Sequence, residues 1–246
     1  MDHQLPNLEK KIAQAVAYYW HARQKQTEKQ AKQGRADQGA RGAVTGGYQM
    51  LAFSELITSL LVDVGVVKEH IFYRKSLELP GFFRPTKEWD LLVVRDGQLI
   101  AAIELKSQVG PSFGNNFNNR TEEAMGTALD LWTAYREGAF NKTVRPWLGY
   151  LFMLEDSQKS RQPVRVKEPH FKVFPEFVKA SYARRYELFC RKLVRERHYN
   201  AAAFLLSAKD SGPKGEFSQP ADDLTFEVFA RSLVAHAAAY GKGHQS

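Results

Sequence analysis

Residues 89–108 read WDLLVVRDGQLIAAIELKSQ. Two apolar segments, Trp89 to Val94 and Leu99 to Glu104, flank the sequence Arg95-Asp-Gly-Gln98. Asp-Gly between apolar runs is the strongest short signal for a tight β-hairpin turn. Both segments are nearly all apolar, as strands buried on two faces are. Side chains two apart on a strand share a face. Glu104 and Lys106 therefore point one way, while Leu105 points the other way and anchors the strand. The hairpin returns Asp90, at the start of the first strand, to the neighbourhood of Glu104 and Lys106.

Outward from the hairpin, the apolar stripe Ile12, Ala15, Val16, Tyr19 and Trp20 predicts a helix from Leu8 to Lys32. Its Gln/Lys-rich second half runs into solvent or along DNA. Residues 33–47, QGRADQGARGAVTGG, read as a loop, either a connector or a segment that orders on phosphates. Met50 to Val64 is a second helix and carries Glu55. A short strand follows at Ile71 to Lys75, with Leu77 to Leu79 extending or replacing it. Asn119 to Glu137 reads as a helix, Trp147 to Leu154 as a strand, and Pro175 opens a helix to about Arg197. That last helix turns Val178, Tyr182, Tyr186, Phe189 and Leu193 inward. Asn200 to Ser207 is open between helix and strand, and a final helix spans Leu224 to Tyr240. This order predicts the α/β class: one domain over 1–246, a mixed central sheet flanked by helices, and additional N- and C-terminal helices. The core covers about 48–155, and 156–246 is a basic helical region packed on it and contributing to DNA binding.

Composition narrows the function. The 246 residues are 43% hydrophobic, enough for one sizeable core. A single cysteine, Cys190, excludes an intramolecular disulfide and suits a reducing cytosol. The start, MDHQLPNLEKK, has no signal-peptide pattern, and no apolar run approaches roughly 18 residues. The expectation is a cytoplasmic protein with no membrane partner. The net charge of +8 equals that of residues 159–197 alone, where 12 Lys or Arg face 4 Asp or Glu. Such a balance suits nucleic acid or another anionic surface. The seven histidines form no ligand cluster, and Gly42, Gly46 and Gly47 lack the GK[ST] ending of a nucleotide-binding loop.

Two carboxylates and a lysine at a strand edge suit Mg²⁺, which prefers hard oxygen ligands and keeps several waters. Asp90 and Glu104 are the candidate ligands, joined by the Ile103 or Leu105 carbonyl. The chemistry that follows is phosphodiester hydrolysis, with metal-bound water as nucleophile. Lys106 orients that water and offsets charge developing on phosphorus. Glu55 is either an additional ligand or a helix-surface residue. Glu88 shares a strand face with Asp90 and rivals it for the first position.

These residues resemble the PD-(D/E)XK nuclease motif, here Pro85-Thr-Lys-Glu-Trp-Asp90 followed by Glu104-Leu-Lys106. Asp90 lies five residues after the proline instead of next to it. The segments RGAVTGGYQM (41–50) and LKSQVGPSFGNNFNNRTEEAMG (105–126) are similar specifically to XhoI-type type II restriction endonucleases. The resemblance implies a restriction-endonuclease-like core and catalytic roles for Asp90, Glu104 and Lys106. It further implies a bacterial Mg²⁺-dependent homodimer that cuts CTCGAG in double-stranded DNA after the first C, leaving four-base 5′ overhangs. A cognate DNA methyltransferase would protect the host.

Candidate DNA contacts lie in two places, with Arg41 of the Gly-rich loop besides. Gln108, Ser112, Asn115, Asn116, Asn118, Asn119 and Arg120 follow the catalytic strand and suit base edges or phosphates; the structural alternative is an Asx-rich loop that caps the next helix, with Asn119 or Thr121 as its N-cap. Arg184, Arg185, Arg191 and Arg195 suit the phosphate backbone, or simply a solvated helix face. Two other functions compete: a structure-specific repair or recombination nuclease, and a DNA-binding module without catalysis.

Overall fold

The computed structural model describes residues 5–32, 46–141 and 144–241. Arg41 and most of the Gly-rich loop lie outside them. The hairpin is present: β4 (Leu91–Arg95) and β5 (Gln98–Gln108) run antiparallel, with Arg95 opposite Gln98. Asp96 and Gly97 have φ of 50° and 72°, the positive pair that a two-residue turn matching strand twist requires.

The other elements are α1 (Leu8–Lys32), α2 (Gly46–Gln49), α3 (Leu51–Asp63), β1 (Ile71–Phe72), β2 (Glu78–Pro80), β3 (Thr86–Glu88), α4 (Phe113–Arg136), β6 (Trp147–Glu155), α5 (Gln158–Arg161), α6 (Tyr182–Arg195), β7 (Ala201–Ser207) and α7 (Phe226–Gly241). The main sheet has the order β1-β4-β5-β6-β7. Its first three strands are antiparallel and its last three parallel, with α4 as the crossover from β5 to β6. Alternation along the strands sorts the core into two layers. Leu91, Val93, Ile103 and Leu105 point toward α1, α3 and α7. Leu92, Ala102, Tyr150, Phe152 and Phe204 point toward α4 and α6.

Several boundaries differ from the sequence reading, for reasons of pairing and packing. The first strand begins at Leu91 because the Trp89 N–H is used elsewhere, donating to the Leu77 carbonyl at 2.9 Å. The second strand continues past Glu104 to Gln108, because β6 pairs with it up to Gln108–Leu154. The segment after Phe72 neither extends nor replaces β1: β2 pairs with β3 as a separate two-stranded sheet. α4 starts at Phe113, six residues before Asn119. Asparagine is a poor helix former, but Phe113 stacks on Tyr182 at 5.8 Å and Phe117 packs edge-on to Tyr186 at 5.0 Å, which fixes these turns against α6.

The predicted long basic helix is divided. Pro175–Phe177 is a single turn, Val178 is exposed, and α6 starts only after Ser181, whose hydroxyl accepts the Arg184 N–H. The Ala-rich segment is strand β7, buried at every position. A helix there would turn part of Phe204, Leu205 and Leu206 to solvent, costing about 1.5–3 kcal/mol for each exposed side chain. That exceeds alanine's helix preference of under about 1 kcal/mol per residue. Residues 156–246 are thus more than a helical region, since they supply a full strand of the sheet.

Candidate active site

Trp89 and Asp90 join the two sheets. The Trp89 N–H reaches the Leu77 carbonyl, just ahead of the small sheet, and the Asp90 N–H donates to the Ile103 carbonyl in the large one at 3.3 Å. This pins Asp90 next to the outer half of β5. Asp90 Oδ2 accepts the Leu105 N–H at 2.7 Å and lies 3.6 Å from Lys106 Nζ. Lys106 Nζ also contacts Glu104 Oε1 directly. Asp90, Glu104 and Lys106 are therefore brought together on the α4 face of the sheet. Lys87 of β3 completes the group: its Nζ donates to Glu104 Oε2 at 2.9 Å and lies 4.8 Å from the centre of the Trp89 ring.

The two carboxylates have opposite electrostatics. Burial pushes Glu104 up, but Lys106 and Lys87 outweigh it and hold the carboxyl below its ordinary range. Burial followed by the charge of Glu104 pushes Asp90 up, and Lys106 with the Leu105 N–H offsets this only in part. Burial would lower Lys106, yet Glu104 and Asp90 outweigh it and raise it, so this lysine is held protonated. Burial and the neighbouring Glu104 charge thus hold Asp90 above the ordinary carboxylate range, and a cation placed beside it would oppose both. Two adjacent carboxylates offer the hard oxygens that a divalent cation prefers. Among the described residues no group of three or more His, Cys, Asp or Glu side chains is placed to hold a metal. The available set is this pair of carboxylates, with water and main-chain oxygen to complete it.

Glu104, Lys106 and Lys87 line an open cleft of about 780 Å³ between the β2–β3 loop and α4, with Phe83 and Arg120 on its rim. Asp130 of α4 holds that loop. Its buried carboxylate accepts the N–H groups of Phe82 and Phe83 at 2.7 and 2.8 Å and Arg84 Nε at 2.7 Å. Burial pushes Asp130 up, but these hydrogen bonds outweigh it and keep it ionised. A larger cleft of about 820 Å³ lies beyond the strand ends, lined by Trp20, Arg23, Glu155 and Lys159, and contains none of the catalytic candidates.

Several other candidates separate from this group. Glu55 lies on α3, across the sheet from Glu104, exposed and paired with Arg74 at 2.8 Å; it is a helix-surface residue. Glu88 is exposed in β3 opposite Glu78; it borders the cleft but makes no bond to Glu104 or Lys106. Gln108 is 4% exposed and accepts the Tyr186 hydroxyl through Oε1, which places it in the core. Asn115, Asn118 and Asn119 are exposed on the first turns of α4, Asn116 is half-buried, and Ser112 precedes them as an exposed N-cap. Arg120 pairs with Glu123 at 2.6 Å. Arg184 pairs with Glu187. Arg185 donates to the Ala180 and Val164 carbonyls, and Arg191 binds Asp223 through two nitrogens at 2.7 and 2.9 Å. Arg195 is exposed.

Lys87 and Asp130 were missed by sequence reasoning. Lys87 carried a signal, standing two residues before Trp89 within the motif run, where a strand places both on one face. Asp130 sits within an apolar helix face and had no partner legible in the sequence.

The family described as Restriction endonuclease XhoI matches residues 29–219. The type II restriction enzyme BstVI of Geobacillus stearothermophilus is 54% identical over 207 residues, covering 82% of this chain and 92% of that protein. The type II restriction enzyme XhoI of Xanthomonas vasicola is 48% identical over 181 residues, covering 73% and 72%. The type II restriction enzyme AbrI of Azospirillum brasilense is 48% identical over 170 residues, covering 69% and 76%. No solved structure matches.

The opposed electrostatics predict opposed effects on the stability of the cation-free protein. Glu104→Gln leaves Lys87 and Lys106 short of counter-charge in a buried site and is expected to cost about 3 kcal/mol at neutral pH. The Glu104 contribution is full above the ordinary value of 4.5 and is lost as pH falls through its lowered folded value. Asp90 has the reverse sign: stability is lost as pH rises from 3.8 through its raised folded value. Asp90→Asn is therefore expected to leave stability unchanged or to raise it at pH 7. Denaturant unfolding in chelator checks this; equal losses from the two substitutions would refute the assignment.

Proposed function

The chain belongs to the XhoI restriction endonuclease family, and from that premise we propose that it is a type II restriction enzyme cleaving double-stranded DNA at CTCGAG. Cleavage falls after the first C on each strand and leaves four-base 5′ overhangs. The observation that carries the reading is the meeting of Asp90, Glu104 and Lys106 on one sheet face beside an open cleft.

Asp90 and Glu104 are the residues that would hold Mg²⁺. Bound there, the ion supplies Lewis acidity toward a phosphate oxygen and a water of lowered pKa. Lys106, protonated between the two carboxylates, orients the attacking water and offsets charge on the phosphorus. The Leu105 N–H fixes the Asp90 carboxylate, while Leu105 in the opposite core layer prevents β5 from rotating. Arg120 on the rim and the exposed asparagines of α4 are candidate DNA contacts, with Arg41 and Arg195 as further cations. Arg184 stays a candidate through its exposed position; Arg185 and Arg191 serve chiefly to hold the chain's own oxygens.

A palindrome with symmetric cuts matches a two-fold homodimer. A cognate methyltransferase protects the host's own sites, and the setting is the bacterial cytoplasm. Among the described residues, no helix is long and apolar enough to cross a membrane. The whole chain, 1–246, acts as one endonuclease domain.

Digestion of unmethylated duplex DNA of known sequence, with Mg²⁺ or with chelator, is expected to give ends only at CTCGAG and only with the metal. Ends at another sequence would overturn the specificity, ends at damage or junctions would favour a repair nuclease, and binding without cleavage would favour a non-catalytic module. Glu104→Ala and Lys106→Ala are each expected to lower the cleavage rate at least about 100-fold while retaining DNA binding. Asp90→Asn should be far more damaging than Glu88→Gln; the reverse order at saturating Mg²⁺ reassigns the first ligand. Sedimentation with a site-bearing duplex should give two chains per duplex, and one chain throughout the cleavage-competent range would reject the dimer.

A further inference from the structure

Glu104 has two oxygens, and a lysine occupies each of them. The two lysines are not equivalent. Lys106 is shared, touching Glu104 on one side and facing Asp90 at 3.6 Å on the other. Lys87 comes from the small sheet, and Glu104 is its one ionic partner among the described residues. Its remaining contacts are the Glu88 carbonyl and the face of Trp89. With 14% of its side chain exposed, it has surrendered most of its hydration to reach this position. The ion pair with Glu104 and the Trp89 face are what sustain that burial, and they hold the ammonium at the carboxylate.

The charges of the group close as they stand: two carboxylates against two ammonium groups. A divalent cation that approaches Glu104 through Oε2 meets the Lys87 ammonium already seated on that oxygen, and the two positive charges repel each other there. Lys106 retains Asp90 as a partner whichever oxygen is taken. Lys87 makes no second ion pair among the described residues, and it lines the same open cleft as Glu104 and Lys106. We propose that Lys87 is a second active-site lysine: it occupies Glu104 until a divalent cation arrives, then turns its ammonium to a phosphate oxygen of the DNA strand in the cleft. Its second role rests on the endonuclease reading; its first does not. The lysine thereby acts as a place-holder against the cation and afterwards as a cationic contact for phosphate, the kind of group that stabilises charge in phosphoryl transfer.

The test uses the full chain with Lys87→Met, which keeps the apolar stem over Trp89, and Lys87→Arg, which keeps the charge. Calorimetry with Mn²⁺ alone, without DNA, is expected to show binding about 10-fold tighter in Lys87→Met, because a competing positive charge 2.9 Å from the carboxylate is gone. A lysine that merely props Glu104 in place would give unchanged or weaker Mn²⁺ binding, and that result overturns the proposal. Single-turnover cleavage should fall about 100-fold in Lys87→Met, with DNA affinity in Ca²⁺ kept within about threefold and most of the rate restored in Lys87→Arg. A Lys87→Met rate within about threefold of the unsubstituted protein overturns the phosphate role. The calorimetric arm reads Lys87 even in a protein that cuts no DNA, and absence of cleavage by the unsubstituted protein identifies failure of the endonuclease reading by itself.

Discussion

A β-strand has two faces, and β5 needs both of them. Ile103 and Leu105 are buried among α1, α3 and α7, which leaves Glu104 and Lys106 no direction but the α4 side. A slip of one residue in the pairing with β6 would drive both charges into an apolar layer and turn Leu105 into the cleft. The cost of burying two charged groups without partners makes that slip prohibitive. The chemistry of the site is therefore secured by the hydrophobic residues between its charges. Register with β6, from Ala101–Trp147 to Gln108–Leu154, matters as much to Glu104 as its own ion pairs do.

Charge closure is the second organising fact. Lys106 is supplied by the large sheet and Lys87 by the small one, so the docking of one sheet on the other sets the electrostatics at Glu104. Asp130 maintains the adjacent loop by the same logic, with three hydrogen bonds onto one buried carboxylate. The excess of cations in 159–197 behaves differently from a free basic patch. Glu187 takes Arg184 and Arg191, Asp223 also takes Arg191, and Glu176 takes Lys192. Much of that region's positive charge thus holds α6 and its neighbours together.

What could be read from sequence was what depends on short range. The Asp96-Gly97 turn, the two-residue spacing of Glu104 and Lys106, and the apolar stripe of α1 are local patterns with one physical solution, and each is found in the fold. What could not be read depended on partners far away in the chain. Gln108 looks like a DNA-reading amide in a polar run, yet Tyr186, 78 residues on, claims it for the core. The asparagines at 115–119 look like a loop until Phe113 and Phe117 meet the aromatic face of α6. Glu55 interrupts an apolar helix in the sequence, but its rotation about that helix turns it to Arg74 and away from the sheet's other face. Asp90 against Glu88 illustrates the same limit: both precede β4, and the Leu105 N–H distinguishes them only once the hairpin has closed.

The interleaving of the sheet has a consequence for when the site comes into being. β5 is complete at residue 108, but its parallel neighbour comes only at 147–155 and the strand covering that neighbour only at 201–207. During synthesis, Glu104 and Lys106 leave the ribosome long before the layer that buries them. Pairings of such long sequence separation form late in folding, after the loop-closure entropy has been met. A nascent chain therefore carries the three charged residues as a solvated sequence, without the sheet that brings them together. The meeting of the three side chains thus waits on pairings that strands far along the chain supply.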